Sequence, residues 1–304
     1  MPTRLTLLAA AASLLVIAAP AAAQPAAGPA AAAAKKGDTV ALPFSPPLGR
    51  TLRYRMTKSR TDNGVEQKAA SAELAVTFAK SGEGYVMETQ VSLPGAPASL
   101  AGSPDYELLR RPLRFRVNAG GEIEGMEDEE GYWNGVEAAI GKTAKSAPGQ
   151  PSAKDVVAQM RSIPAEMRLQ MLSQQVMPLL TASATKFPLG ETLTSEQEGD
   201  SPMGPVQQKA ELTLERVAGD RAFLTSVRTV PAAELEAAVR RFAEEMGSEV
   251  VGDGKLVGLE DRETYEVSTR TGLVTRYRST NTVDTEEGGK RSRMVAVSEI
   301  EQIG

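Results

Sequence analysis

The chain has 304 residues, a formal net charge of −5, no His and no Cys. Without Cys there is no disulfide, thiolate nucleophile or lipidated cysteine, and without His there is no Ser/His/Asp triad and no ordinary general base near neutral pH. A surface of this sign repels phosphate backbones, so no nucleic-acid partner is expected.

Residues 1–23 read as a signal peptide. Arg4 gives a positive start, Leu5 to Ala19 is rich in Leu and Ala, and Ala21-Ala22-Ala23 offers small residues for cleavage. The run is shorter than the roughly 20 residues that span a bilayer. The expected protein is periplasmic or secreted after cleavage near Ala23, and is not membrane-spanning. Residues 24–46 are rich in Ala and Pro, and read as a disordered linker that buries nothing.

Residues 47–130 read as a first β-meander. Leu52, Tyr54 and Met56 alternate with Arg53, Arg55 and Thr57, which is strand period. Asp62-Asn63-Gly64 marks a turn. Leu74, Val76 and Phe78 form the next inward face, and Tyr85, Met87, Thr89 and Val91 the one after. Leu113, Phe115 and Val117 follow, with Arg114 and Arg116 facing solvent. The acidic run Glu122 to Glu130 lacks the oxygen spacing of a calcium loop and reads as a solvated stretch.

Residues 131–184 read as a helical connecting segment, where Met, Gln, Ala and Leu replace the alternation. Tyr132 and Trp133 anchor it to the core. Val156 and Met160 begin a helical stripe. Ser162 before Pro164 looks like the cap of a fresh helix carrying Met167, Met171, Leu172 and Val176, which Pro178 ends. Methionines at this density give an adaptable apolar surface. Met160, Met167, Met171, Val176 and Met177 are the candidate ligand-binding residues.

Residues 185–304 read as a second β-meander with an inserted helix at 231–246. Ala210, Leu212 and Leu214 alternate with Glu211, Thr213 and Glu215. Phe223, Thr225 and Val227 return the chain after a turn at Gly219. Leu235, Val239, Phe242 and Met246 fall on one side of the inserted helix. Tyr265 and Val267 pair across a turn with Leu273, Thr275 and Tyr277, and Met294 to Ile300 is the closing strand.

The two meanders share local sequence. Pro47-Leu48-Gly49-Arg50-Thr51-Leu52 recurs as Pro188-Leu189-Gly190-Glu191-Thr192-Leu193, an offset of 141 (188 − 47). Ala72-Glu73-Leu74 recurs as Ala210-Glu211-Leu212, an offset of 138 (210 − 72). Phe115-Arg116-Val117 before a tight turn corresponds to Tyr265-Glu266-Val267 before another. Three matches in the same order predict an internal duplication.

No motif carries chemistry. Ser183 and Lys186 have Ser-x-x-Lys spacing without a partner motif. Gly252, Gly254 and Gly258 precede no helical stripe, so they form no phosphate cradle. A carboxylate-dependent hydrolase would need two inward acids in one cleft with raised pKa values. Neither a cofactor nor a metal is expected.

The closing pattern Tyr265-Glu266-Val267 with Thr271-Gly272-Leu273-Val274-Thr275-Arg276-Tyr277, and the opening Phe187 to Leu193, resemble uncharacterised exported bacterial proteins. Their antiparallel meanders are similar to the periplasmic lipoprotein-carrier group. The resemblance implies a curved, unclosed barrel with helices over its mouth, an apolar cavity and no catalytic residues. Two meander copies depart from a single barrel of that kind.

The resulting expectation is a mainly β (α+β) fold of antiparallel meander sheets, duplicated or half-barrel, with helices packed on one face. The expected function is non-catalytic: binding an apolar or lipid-like ligand between sheet and helices. An envelope scaffold or protein-interaction module with a filled core is the alternative, and the carboxylate hydrolase ranks third.

Overall fold

A computed structural model describes residues 36–67, 69–95, 106, 109–143, 153–201, 204–245, 255–287 and 289–304. The signal segment and most of the 24–46 stretch lie outside these residues, as does Met246.

The fold is mainly β and antiparallel. A first run of strands comprises β1 (Thr39–Leu42), β2 (Thr51–Asp62), β3 (Val65–Glu66), β4 (Ala70–Ser81), β5 (Gly84–Ser92), β6 (Leu113–Val117) and β7 (Ile123–Met126). Four helices follow: α1 (Glu129–Thr143), α2 (Ala153–Ser162), α3 (Ala165–Ser173) and α4 (Met177–Leu180). Then come β8 (Thr185–Pro188), β9 (Thr192–Ser201), β10 (Gly204–Ala218), β11 (Arg221–Val230), helix α5 (Ala232–Glu245), β12 (Lys255–Ser268), β13 (Val274–Glu287) and β14 (Lys290–Gln302).

One 12-stranded sheet runs β7-β6-β5-β4-β2-β14-β13-β12-β11-β10-β9, with β3 hairpinned onto β2. Among the described residues β7 and β9 do not pair, so the sheet is open. The last strand, β14, joins the two meanders by pairing with β13 on one side and β2 on the other.

Each meander repeats the other's pairing in detail. Leu48 bridges Phe78 in parallel and Leu189 bridges Leu214 likewise. Gly49 N–H donates to Phe78 O at 2.9 Å, and Gly190 N–H to Leu214 O at 2.8 Å. Thr51 faces Thr77, with hydroxyls 3.3 Å apart, and Thr192 faces Thr213 at 2.8 Å. At the far end, Phe115 pairs with Met126 and Tyr265 with Tyr277. Both strands carry a register break one residue later, at Arg116/Val117 and at Glu266/Val267.

The pairing corrects one sequence offset. Thr77 corresponds to Thr213, an offset of 136 (213 − 77), not 138. Leu74 therefore corresponds to Ala210, and Val76 to Leu212. A slip of two residues keeps every side chain on its face, so alternation alone cannot detect it.

The tight turns after β6 and β12 both need glycine. Gly121 has φ +90°, and a Cβ there would lie 2.8 Å from Ser183 Cβ. Gly272 has φ +71°, and a Cβ there would lie 1.8 Å from Pro43 O. Left-handed backbone and close approach each exclude other residues at such positions. Both turns press against Pro43, Phe44 or Ser183, which flank the β1–β8 ribbon, whose register runs from Thr39↔Pro188 to Leu42↔Thr185.

That ribbon corrects the linker expectation for 36–46. Val40, Leu42 and Phe44 are the apolar alternates of a short strand between prolines, and Leu42 and Phe44 are buried. Phe44 packs edge-on against Phe78 and Tyr85. Burying each such side chain contributes about 1.5–3 kcal/mol, enough to order a stretch whose local composition favours disorder.

The main core is continuous across both meanders. It gathers Leu52, Val76, Phe78, Met87 and Phe115 from the first, Leu214, Leu224, Tyr265, Val267 and Tyr277 from the second, and Leu179 and Leu180 from α4. A second cluster under α5 holds Val206, Val230, Leu235, Ala238, Leu259 and Val283. A third, among the connecting helices, holds Trp133, Val136 and Val157.

Two helix boundaries differ from expectation. Pro164, not Ser162, occupies the N-cap position of α3, and the Ser162 hydroxyl donates to Gln159 O at the end of α2. Pro178 sits in the first turn of α4 instead of ending a helix, where its missing N–H leaves nothing unpaired.

The phase of β11 also differs. Ala222, Leu224 and Val230 are buried, so the even-numbered residues face inward. Phe223 lies on the outer face, where the Arg216 guanidinium covers its ring at 3.4 Å. A cation over the ring shelters it from water as a core would.

Candidate functional site

The reversed phase of β11 brings Arg228 inward, and with it a buried polar belt. In register, Arg228 pairs with Asp261 and Asp261 with Asn281, while Ser226 pairs with Glu263 and Glu263 with Ser279. On β12 the inward alternates are therefore Leu259, Asp261, Glu263, Tyr265 and Val267. Charge interrupts an apolar row in mid-strand.

Arg228 Nη2 contacts Glu263 Oε2 at 2.5 Å and Asp261 Oδ2 at 3.1 Å. Tyr265 donates its hydroxyl to Glu263 Oε2 at 2.7 Å, and Tyr277 to Glu263 Oε1 at 2.8 Å. Ser279 donates to Asp261 Oδ1 at 3.0 Å. Glu263 is thus fully engaged, which is what a charge at 7% exposure requires.

The charges do not balance. Two carboxylates face one guanidinium, so the belt carries a net −1 when both are ionised. Burial is the main reason the Asp261 carboxyl is pushed up to about 6, with Glu263 adding to it and Arg228 and Ser279 opposing. Burial also raises the Tyr265 and Tyr277 hydroxyls well above their ordinary value, Glu263 adding in both cases. Burial pulls Arg228 down, but Glu263 and Asp261 outweigh it and hold the guanidinium protonated.

Two amides near these charges in the register have buried atoms without hydrogen-bond partners among the described residues. Gln208 is 2% exposed, and neither its Nε2 nor its Oε1 has a partner among the described residues. It lies on the inner face of β10, two residues from Ala210, which pairs with Arg228. Asn281 Oδ1 is likewise buried and unpartnered. An unmet buried amide costs about 1–3 kcal/mol, so it is not a feature that packing alone favours.

The methionine residues expected to bind ligand do not form one surface. Val176 is buried in the main core, and Met160 packs against the Trp133 cluster. Met167 and Met171, one turn apart on α3, are 52% and 42% exposed. Met177 opens α4 and is half-buried. An open depression of about 290 Å³ lies elsewhere, on α5, lined by Ala233, Glu236, Ala237, Arg240 and Arg241. Ser183 of the Ser-x-x-Lys match donates its hydroxyl to Gly272 O at 3.0 Å, and so fixes the turn after β12.

Sequence reasoning missed Arg228, Asp261 and Glu263. A signal was present: Asp261 and Glu263 stand in the inward phase set by Leu259, Tyr265 and Val267. Arg228 was hidden because Phe223 suggested the opposite phase for β11.

No protein-family profile matches the chain. Over 45 residues it is 47% identical to the iron-sulfur cluster insertion protein ErpA of Stenotrophomonas maltophilia, covering 15% of this chain and 33% of ErpA. A structure of lipid–protein interactions in lipovitellin is similar with a TM-score of 0.40 and 9% identity, over 85% of this chain and 25% of that one. The chain therefore spans about a third of ErpA's length and a quarter of that lipovitellin chain's.

Proposed function

We propose that this chain is a non-catalytic, exported binding protein, built from two copies of one meander, that holds an apolar or lipid-like ligand against the covered face of its sheet. The observation that carries the reading is the break in that face. Apolar clusters lie on both sides of a buried polar belt, and the belt contains amides with unmet hydrogen bonds. A face made only for folding gains nothing from that arrangement, whereas a ligand pocket uses apolar walls and a few convergent polar groups. The periplasm suits a chain with a signal-like start and no Cys.

The carboxylate hydrolase is the second reading, because Asp261 and Glu263 face inward together with the Asp261 carboxyl raised. Glu263 is committed to two tyrosines and an arginine, which favours a structural over a chemical role.

Native mass spectrometry of protein isolated from its own cell envelope tests the proposal. A bound apolar species that leaves on mild activation is expected. Protein that is wholly ligand-free after gentle isolation would remove the basis for the reading.

A further inference from the structure

The head group of the ligand can be inferred from what the belt lacks. This step rests on the binding proposed above and adds the chemical class. Arg228, Asp261 and Glu263 sum to −1, so a bound cation would complete the charge balance. Among the described residues Gln208 Oε1 and Asn281 Oδ1 are buried acceptors without donors, and Gln208 Nε2 is a buried donor without an acceptor. Asp261 accepts one hydrogen bond at each oxygen, and a carboxylate has lone pairs to spare. The belt therefore presents three acceptor groups and one uncompensated negative charge. An ammonium group brings three N–H donors and one positive charge.

We infer that the polar belt of the second meander seats the protonated amino head of an amphipathic amine, whose hydrocarbon body lies along the apolar clusters on either side. A carboxylate or phosphate head would meet Asp261 and Glu263 with like charge. An alcohol would supply one donor and leave the charge unmatched. Neither fills the belt as an ammonium does. The three charged side chains keep 10–17% of their surface exposed, so the seat is enclosed but not sealed.

The test is calorimetric titration of the full chain with dodecylammonium, dodecanol and dodecanoate, each below its micellar concentration. The ammonium is expected to bind at least about tenfold more tightly than the alcohol, with the carboxylate weakest. Asp261→Asn should weaken the ammonium about tenfold and the alcohol much less, with circular dichroism reporting that the variant is folded. Gln208→Leu should act in the same direction. Equal binding of the three heads, or an Asp261→Asn chain that keeps its preference for the ammonium, would overturn the assignment of the head group while leaving an apolar site in place. Failure of all three to bind would overturn the binding function itself.

Discussion

The two meanders share a frame and differ in what they bury. Aligned by strand pairing, Met87 and Phe115 of the first correspond to Leu224 and Tyr265 of the second. The same alignment sets Ala72 against Gln208, Val91 against Arg228, Leu113 against Glu263, and Met126 against Tyr277. At all these positions the first meander has an apolar residue packed in the main core. The second has a polar or charged one at five of them: Gln208, Arg228, Glu263, Tyr265 and Tyr277. Folding does not require these polar groups, since the first meander makes the same parallel bridge, the same glycine hydrogen bond and the same break after its last aromatic pair without them. The difference locates the specialised part of the molecule in the second half.

The largest effect should come from breaking the belt on one side. Arg228→Ala leaves Asp261 and Glu263 buried without their cation, and should cost about 3–5 kcal/mol in urea unfolding. Val91→Ala, at the matching site, removes only apolar contacts and should cost clearly less. Equal losses at the two sites would mean that the belt is ordinary packing.

Next is pH. The Asp261 carboxyl is raised in the folded chain, so its protonated form is favoured there. Its contribution is fully present below about 4 and is lost as pH rises through about 6, a fall of at most about 3 kcal/mol. Glu129, held low by the hydrogen bond from Arg168, and Asp284, held low by Arg293, act oppositely and lose their contribution as pH falls. Asp261→Asn should abolish the loss between about pH 4 and 6 and leave the acid limb intact, as read from unfolding at stepped pH. A smaller effect of opposite sign is expected from Gln208→Leu, which removes an unsatisfied amide and should stabilise the ligand-free chain by about 1–3 kcal/mol.

Much of this architecture was legible in the sequence because period-two alternation reports which face is buried. The meanders, the connecting helices and the glycine turns follow from it. Three things were less legible, each for a physical reason. Val40, Leu42 and Phe44 form too short an alternation among prolines to announce a strand, and are ordered by β8, which lies far along the chain. Phe223 set the wrong phase because a cation can shelter an aromatic ring on the wet face. With the even-numbered residues of β11 facing inward, Arg228 reaches Asp261 and Glu263. The unmet amide of Gln208 could not be read at all, since a missing partner is a property of the packed structure.

The most direct measurement converts five belt residues of the second meander to their counterparts and neutralises Asp261, which has none in the strand pairing. A chain carrying Gln208→Ala, Arg228→Val, Glu263→Leu, Tyr265→Phe, Tyr277→Met and Asp261→Asn is compared with the unaltered chain by native mass spectrometry after isolation from the same envelope. The account predicts that the converted chain folds at least as stably, and that only the unaltered chain carries a bound apolar species. A converted chain that keeps the same bound mass would contradict it.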